Sequence, residues 1–333
     1  MPRMMDHLIS VCIPTCRRPQ LLKEAIASCL AQTYRPLEVL VGDDSEDDRS
    51  ASVVNLLQNV PGVTIDYHRN HTPLGQAGNV NDLFDRARGD RIVLLHDDDL
   101  LLPDAIETLS NCWVEESNLT ASFGKQYIIS VTGEINQSES EYLNKLFFRT
   151  PDKAGLQPSA LESALLQQFP NDGFLIRSDI AKRVRLREHS KVGDAVDFDF
   201  GIRVARESEG GFYFVDKYTC KYRNTPDSVN QSAQSVEYMF PQIQRLEVPA
   251  HAEGARNVAL RRMAPFYVKY LAIKRKRGPA FQVLFGEYFD RRLLYSRKGL
   301  ILFAQIIAPS LDPMLQKIGH RMKAQAESTR SQS

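Results

Sequence analysis

The chain has 333 residues, of which 43% are hydrophobic and 25% are charged, so it can bury a large core without disulfides or a structural metal. Its formal net charge of +1 gives no support for nucleic-acid binding. That average conceals an uneven distribution, because the segment from Arg245 to the end carries 17 Lys or Arg against 6 Asp or Glu. We therefore expect one large domain followed by a basic appendage.

The five cysteines are odd in number and lack the spacing of zinc ligands, which argues against a disulfide framework or a zinc site. The N-terminus has no signal-peptide pattern, and no run reaches the roughly 18 apolar residues that span a bilayer. These features predict a cytoplasmic protein, with membrane contact limited to the surface.

The first 120 residues alternate between strand and helix patterns. The predicted strands are 8–13, 37–41, 63–68 and 91–95, and the predicted helices are 20–32, 50–58, 79–87 and 104–116. This alternation predicts an α/β fold, a mostly parallel sheet flanked by helices. Ligands of such sheets bind beyond the carboxyl ends of the strands, where the acidic segments 43–48 and 97–99 fall. We expect both segments to share one crevice.

The pattern changes after residue 120. The expected elements are a strand at 122–131, a loop-rich stretch at 134–170 with one helix at 158–168, a helix at 198–207, an extended segment at 211–223, and basic helices at 255–276 and 279–309. We predict a domain at 1–230, with a first half at about 7–120 and a second half at about 121–230. A basic helical region at 235–323 and a disordered tail at 324–333 follow.

Asp97, Asp98 and Asp99 directly follow an apolar strand. Three adjacent carboxylates are costly to bury without a positive partner, and Mg²⁺ or Mn²⁺ prefers such oxygen ligands. Taken alone, the cluster could equally be the acidic first turn of a helix.

Several ordered motifs resemble the family-2 glycosyltransferases of GT-A fold. They are SVCIPT at 10–15, LAQTYRPLEVLVGDDS at 30–45, NHTPLGQAGN at 70–79, ARGDRIVLLHDDD at 87–99 and VDFDFGIRVA at 196–205. The resemblance covers about residues 7–225. It implies transfer of a sugar from a nucleotide-diphosphate donor to an acceptor hydroxyl, with a divalent metal.

The resemblance makes 7–120 the donor half and 121–230 the acceptor half, and it assigns roles to residues of the donor half. Pro14 and Thr15 would lie beside the nucleotide, Asp44 would accept a hydrogen bond from the base, and Asn79 belongs to the loop of the third motif. Asp97 would hold the ribose. The alternative for Asp44 is a solvated acidic turn.

The metal ligands depend on how the family's D-x-D motif is aligned. In one alignment its two positions fall on His96 and Asp98, and in the literal reading they are Asp97 and Asp99. Asp98 is the strongest candidate, because the family alignment favours it and it lies at the centre of either reading. Asp99 completes the literal D-x-D. His96 is an imidazole ligand in one alignment, although we favour a polar residue at a strand end.

The segment at 196–205 resembles the family's base-bearing helix start. Asp197 matches the carboxylate that takes the acceptor proton in an inverting reaction, although it could instead only cap the helix. Val196 replaces the usual acidic neighbour, so Asp194 could supply that charge. Asp172 lies on the strand expected to border the acceptor pocket.

The sequence therefore predicts an inverting, metal-dependent glycosyltransferase of cell-surface polysaccharide or glycoconjugate synthesis. Its partners would be a nucleotide sugar, a saccharide or lipid-linked acceptor and, through the basic C-terminal helices, the membrane surface. Those helices could equally form a solvated surface. Two alternatives remain: a degenerate nucleotide-sugar-binding or scaffold protein, indicated by Val196 and by Thr225 in place of a family histidine, and a sugar nucleotidyltransferase.

Overall fold

The computed structural model describes residues 7–57, 60–224 and 235–308. The chain divides into two compact units, Met1–Val229 and Asn230–Ser333. Thr225 and the tail at 324–333 lie outside the described residues, so the expectations about them have no structural counterpart.

The described part of the first unit contains one ten-stranded sheet. Its strands are β1 Ile9–Thr15, β2 Leu37–Asp43, β3 Val63–Arg69, β4 Arg91–Leu94, β5 Leu100–Leu101, β6 Ala121–Ile129, β7 Ile135–Asn136, β8 Gly155–Leu156, β9 Leu175–Arg177 and β10 Phe212–Arg223. The main path runs β3-β2-β1-β4-β9-β6-β10-β5. This mixed α/β architecture with flanking helices confirms the predicted fold class.

The first four strands in sequence form a parallel block in the order β3-β2-β1-β4. The central strands β1 and β2 are buried almost throughout, which explains their continuous apolar runs. β3 lies at the sheet edge, and its residues alternate between half-buried and exposed.

Nine helices cover the described part of the first unit. They are α1 Pro19–Leu30, α2 Arg49–Val54, α3 Gly75–Arg86, α4 Ala105–Glu115, α5 Gln137–Leu146, α6 Ala160–Leu165, α7 Ser178–Val184, α8 His189–Val192 and α9 Val196–Arg206. α1 shows why these segments are helical. Leu22, Ala25, Ile26 and Cys29 recur at helical spacing and are all buried, while Pro19 occupies the first turn, where its missing N–H costs nothing.

One strand interrupts the parallel order. β9 is antiparallel to both β4 and β6, whereas β6 and β10 are parallel to each other. Since β9 runs antiparallel to β4, it starts at the edge of the sheet where β4 ends. The residues just before β9 therefore lie beside those just after β4.

The loop-rich interpretation of 134–170 was wrong in one respect, because this stretch also contains α5. The overlooked signal was a cap: Asn136 accepts a hydrogen bond from the backbone N–H of Glu139 at 3.1 Å. The predicted helix at 158–168 is shorter, since α6 covers Ala160–Leu165 alone.

The described part of the second unit is helical. Its helices are α10 Ser235–Arg245, α11 Glu253–Ile273, α12 Arg277–Leu284, α13 Arg291–Leu294 and α14 Arg297–Ile307. The prediction of a single helix at 279–309 was wrong. Asp290 and Ser296 each accept a hydrogen bond from a backbone N–H and so cap the start of a new helix. None of the described helices has the length and apolar character that crossing a bilayer requires.

Candidate active site

The carboxyl ends of β1, β2 and β4 meet at one edge of the sheet. Asp44 donates its backbone N–H to the carbonyl of Thr15 at 3.0 Å, and Leu95 donates to Cys12 at 3.0 Å. Across the antiparallel pair, the N–H of Gly173 donates to the carbonyl of Leu94 at 2.8 Å. The polar residues that follow β1, β2 and β4, and those that precede β9, therefore face the same side of the fold.

Thr15 and Asp97 are joined directly. The Thr15 hydroxyl donates to Asp97 Oδ2 at 2.6 Å, and Arg18 Nη1 approaches Asp97 Oδ1 at 3.2 Å and Asp98 Oδ2 at 2.9 Å. Burial raises the pKa of Asp97, although the Thr15 hydrogen bond and the Arg18 charge oppose that rise. Arg18 thus supplies a positive partner to the first two aspartates of the cluster.

Asp99 is held differently from its two neighbours. Its Oδ1 accepts the backbone N–H of Arg223 at 2.6 Å, which follows from the pairing of β5 with β10. Its Oδ2 is buried and has no hydrogen-bond donor among the described residues. Burial and the nearby charge of Asp172 raise the pKa of Asp99 well above its ordinary value.

His96 lies next to two buried carboxylates. Its Nδ1 is 3.8 Å from Asp99 Oδ2 and 4.0 Å from Asp172 Oδ2, and its backbone N–H donates to Asp172 Oδ2 at 3.2 Å. Burial opposes protonation of His96, but the surrounding carboxylates, Asp172 first among them, raise its pKa on balance. We define His96, Asp99 and Asp172 as the cation cluster, since one ligand atom from each lies within 4.8 Å of the others.

This donor set fits a divalent cation. An imidazole and two carboxylates suit Mn²⁺ or Mg²⁺ in type, and the unpartnered Asp99 Oδ2 is an oxygen that a cation would satisfy. Asp98 is not a member of the cluster, and its carboxylate pairs with Arg18. The cluster therefore combines His96 from one alignment of the motif with Asp99 from the other, and it adds Asp172, which the sequence had associated with the acceptor.

Asp197 lies in the first turn of α9, and its Oδ1 is buried without a hydrogen-bond partner among the described residues. It makes no side-chain cap bond there. Burial raises its pKa, the His96 charge lowers it and Asp172 raises it, so Asp197 shares an electrostatic environment with the cation cluster. Val196 is 2% exposed, which explains why this position carries no second acid.

The other two acids around α9 have partners of their own. Asp194 Oδ1 lies 2.9 Å from His189 Nε2, which stands on an exposed side chain. Asp199 accepts from Arg203 Nε at 2.8 Å and from Arg187 Nη1 at 3.5 Å. Asp199 therefore ties α9 to the preceding loop, whereas Asp194 stays near the surface.

Asp44 is buried and already accepts three hydrogen bonds. Asn70 Nδ2 donates at 2.8 Å, the backbone N–H of Leu74 at 3.1 Å and that of Gly75 at 2.9 Å. A carboxylate has four acceptor sites, so one remains for a ligand N–H. Asp44 is therefore a carboxylate clamped by the 70–75 loop rather than a solvated turn.

Asn79 has a buried side chain at the start of the same helix, α3. Its Nδ2 donates to the carbonyl of Gly42 at 2.8 Å, and its Oδ1 lies 3.4 Å from Asn70 Nδ2. A Cβ on Gly42 would come within 2.1 Å of the Asn79 amide oxygen, so this close approach requires glycine. The Asn79 amide thus joins α3 to β2 and to Asn70 of the 70–75 loop. Pro14, one residue before Thr15, is half-buried.

Two arginines at this edge were not assigned roles from the sequence. Arg18 lies in the loop after β1 and pairs with the acidic segment that follows β4. The available signal in the sequence was a basic residue at the strand edge that carries the acidic segments. Arg223 is 2% exposed and donates from Nε to the Asp98 carbonyl at 2.8 Å and from Nη2 to Glu24 at 2.6 Å. The contacts of Arg223 join positions about 125 and 199 residues apart, so its role required the fold.

Residues 10–165 match the profile of glycosyl transferase family 2. The matched region makes up just under half of the chain. The chain is 35% identical over 128 residues to the GalNAc(5)-diNAcBac-PP-undecaprenol beta-1,3-glucosyltransferase of Campylobacter jejuni, a match of 34% of this chain and 41% of the relative. The aligned part is thus about two fifths of that family-2 relative.

Two solved glycosyltransferase structures share the fold. S. aureus TarS 1-349 in complex with UDP-GlcNAc superposes with a TM-score of 0.60 at 16% identity, covering 83% of this chain and 81% of that one. The mannosyltransferase PcManGT of Pyrobaculum calidifontis, in complex with GDP-Man and Mn²⁺, gives a TM-score of 0.55 at 17% identity, covering 93% and 87%. The fold of the chain is that of the GT-A glycosyltransferases.

Proposed function

We propose that this chain is a family-2 glycosyltransferase that transfers a sugar from a nucleotide-diphosphate donor to an acceptor hydroxyl, with inversion at the anomeric carbon. The observation that carries the proposal is the electrostatic grouping of His96 with Asp97, Asp98, Asp172 and Asp197, which come from three separate stretches of the chain. The residues at 96–98 follow β4, and Asp172 precedes the antiparallel β9, so these groups lie at the carboxyl edge of the parallel block, where donors bind in α/β folds.

The nucleotide would lie along the ends of β1 and β2. Pro14, Thr15 and Asp44 line that region, and the one free acceptor site of Asp44 suits the N–H of a uracil or guanine ring. Arg18, 47% exposed, is available to pair with the diphosphate. The complexes of TarS with UDP-GlcNAc and of PcManGT with GDP-Man support a nucleotide sugar as donor.

A divalent cation would be held by His96, Asp99 and Asp172, with Asp97 and Asp98 beside it. When bound, it would neutralise charge that develops on the departing diphosphate. The unpartnered Asp99 oxygen and the Mn²⁺ in the PcManGT complex support this assignment.

Asp197 would act as the general base. As the acceptor oxygen bonds to the anomeric carbon, the acceptor proton passes to the Asp197 carboxylate and the bond from that carbon to the diphosphate oxygen breaks. Burial raises the pKa of Asp197, which makes it a stronger base than a solvated aspartate and suits proton abstraction near neutral pH. Attack opposite the leaving group inverts the anomeric configuration.

We infer that the acceptor is lipid-linked and that the second unit contacts an anionic membrane. Lys274, Arg275, Lys276 and Arg277 are exposed, as are large apolar side chains: Phe266, Phe285, Tyr295 and Leu300. Cationic and apolar groups together favour the interface of anionic lipids. The undecaprenol-linked substrate in the name of the Campylobacter relative supports this acceptor class.

The test begins with a panel of UDP- and GDP-sugars and Mn²⁺, using thermal stabilisation to identify the donor. With that donor, Asp197→Asn should lower kcat by about 10²- to 10⁴-fold, the usual contribution of a general base, and leave donor affinity unchanged. NMR of the product should show the inverted anomer.

Asp194→Asn is the matched control, because it neutralises an acid near α9 that already pairs with His189. Near-normal turnover by Asp197→Asn would eliminate Asp197 as the base. Donor binding by the unchanged chain without transfer or hydrolysis would instead favour the non-catalytic alternative.

A further inference from the structure

Asp172 has a second set of partners besides His96. Its Oδ1 accepts from Gln126 Nε2 at 3.2 Å, and Gln126 Oε1 in turn accepts from Arg149 Nη1 at 2.7 Å. All three side chains are buried, with exposures of 0% for Asp172 and 3% for Gln126 and Arg149. The buried guanidinium of Arg149 is thus connected through the Gln126 amide to Asp172, a member of the cation cluster.

Arg149 is fixed in place by backbone carbonyls. Its Nε donates to the Gln168 carbonyl at 2.8 Å and its Nη2 to the Gln167 carbonyl at 3.4 Å. Within the described ranges it forms no salt bridge, so its charge is buried without a direct counter-ion. Burial lowers its pKa to about 9, against which the nearby charge of Asp172 acts. Asp172 is therefore the carboxylate that offsets this charge at a distance.

Gln126 can take only one orientation between these groups. A guanidinium can only donate and an ionised carboxylate can only accept, so the amide oxygen must face Arg149 and the NH₂ must face Asp172. Asn144 also holds the Gln126 backbone, accepting its N–H at 3.2 Å and donating to its carbonyl at 2.8 Å. Because Oδ1 of Asp172 is held by Gln126, Oδ2 is left to face His96.

We propose that Gln126 and Arg149 are positioning residues for the candidate cation site, acting through Asp172. Gln126 fixes which Asp172 oxygen faces His96 and Asp99. Arg149 fixes the Gln126 amide and supplies positive charge behind a cluster of two buried carboxylates. The inference rests on the proposed function, because it assumes that the cluster binds a divalent cation. Partners of this kind orient metal ligands, and their loss commonly weakens metal binding 10- to 100-fold.

The experiment measures binding of Mn²⁺ alone to the full chain, from the electron paramagnetic resonance signal of free Mn²⁺. Gln126→Met keeps the side-chain length but removes the side-chain hydrogen bonds to Asp172, Asn171 and Arg149, and it should weaken Mn²⁺ binding about tenfold. Gln157→Met is the matched control, since Gln157 is a buried glutamine whose amide donates to backbone carbonyls of Lys153 and Gly155. It should bind Mn²⁺ as the unchanged chain does.

Arg149→Lys provides a second route should Gln126→Met fail to fold. It keeps the cation but cannot donate at once to Gln126, Gln167 and Gln168, so a several-fold weaker affinity is expected. Unchanged affinity in the folded variant, or equal weakening in Gln157→Met, overturns the inference.

Asp172→Asn separates this inference from the proposed function. Loss of Mn²⁺ binding in Asp172→Asn but not in Gln126→Met would retain the cation site and reject the positioning role. Failure of the unchanged chain to bind Mn²⁺ would reject the cation site and, with it, the inference.

Discussion

At the residue scale, Asp99 combines a structural cost with a proposed use. One of its oxygens accepts a backbone hydrogen bond, while the other is buried near Asp172 without a donor among the described residues. Burial of an unpartnered charged oxygen destabilises a fold, and such costs concentrate at functional sites. We interpret the repulsion between the Asp99 and Asp172 carboxylates as a sign that these two groups bind a ligand.

Asp99→Asn should therefore stabilise the protein when divalent cations are removed. The asparagine oxygen can keep the Arg223 hydrogen bond, and its NH₂ can donate to Asp172. We expect a gain of about 1 to 2 kcal/mol in the free energy of unfolding, together with loss of Mn²⁺ binding. Thermal unfolding in EDTA measures the first effect.

Asp98→Asn serves as the comparison, since Asp98 is partly exposed and pairs with Arg18, so no gain is expected there. A lower melting temperature for Asp99→Asn than for the unchanged chain would contradict this account of Asp99.

Glu38 shows the opposite case, a buried carboxylate that is fully partnered. It accepts from the Ser10 hydroxyl at 2.6 Å, from the Arg88 backbone N–H at 2.7 Å and from Arg88 Nε at 2.8 Å. Burial opposes ionisation of Glu38, but the bonds from Ser10 and Arg88 prevail and lower its pKa. The ionised form therefore stabilises the junction of β1, β2 and the segment before β4.

Glu38→Gln should destabilise the protein by about 2 kcal/mol at pH 7, because a donor then faces donors. A carboxylate whose folded pKa is lowered contributes stability above its unfolded pKa and loses it as the pH falls through the folded value. The difference between the two proteins should thus shrink below about pH 4.

Unfolding curves across that pH range make the measurement. Glu46→Gln is the control, since Glu46 is 75% exposed and its pairing with Arg17 is worth little. A pH-independent difference for Glu38→Gln would show that the carboxylate charge plays no part.

At the element scale, the start of β9 decides where Asp172 lies. Gly173 has a φ of +68°, and a Cβ there would come within 2.8 Å of the Cys220 Sγ and Cβ atoms on β10. The turn into β9 thus needs a residue without a side chain, both for its left-handed backbone and for the close approach of β10. Asp172 reaches His96 because of that turn.

Gly173→Ala should cost about 2 to 4 kcal/mol of stability, combining backbone strain with overpacking against Cys220. It should also weaken Mn²⁺ binding by displacing Asp172. Gly155→Ala is the matched control, since Gly155 has a φ of +104° but no atom near its missing Cβ. Equal losses in the two variants, measured by thermal unfolding, would show that strain alone matters at Gly173.

At the scale of the whole molecule, the two units differ in charge and surface chemistry. The described helices of the second unit expose basic residues together with aromatic and aliphatic side chains, such as Phe285 and Tyr295. The proposed membrane contact is a property of this unit rather than of the sheet.

We expect the chain to float with vesicles of phosphatidylcholine and phosphatidylglycerol at low salt, and not with phosphatidylcholine alone. Replacing Lys274 and Lys276 with glutamine should weaken binding about 30-fold, since each basic residue near the surface contributes about 1 kcal/mol. Replacing Lys23 and Lys153, two exposed lysines of the first unit, should change nothing. Binding that is indifferent to lipid charge would contradict the proposal.

The amino-acid sequence alone determined the parallel block and its functional edge. Apolar runs in β1, β2 and β4 alternate with helical periodicity, and acidic residues follow the strands, so these patterns by themselves predict one crevice for Asp44 and Asp97, whereas Thr15 was assigned through the family resemblance. Each of these patterns is local to one strand, one helix or the loop after it.

Only the tertiary structure decided which of these groups are neighbours of residues far away in the chain. The cation cluster needs Asp172, and Asp172 joins it because β9 runs antiparallel to β4. The roles of Arg223, Gln126 and Arg149 depend on contacts across β5, α5 and β10 that leave no periodic signal. Side-chain partnership at such separations is set by how the elements pack, and packing is not encoded in any short stretch of sequence.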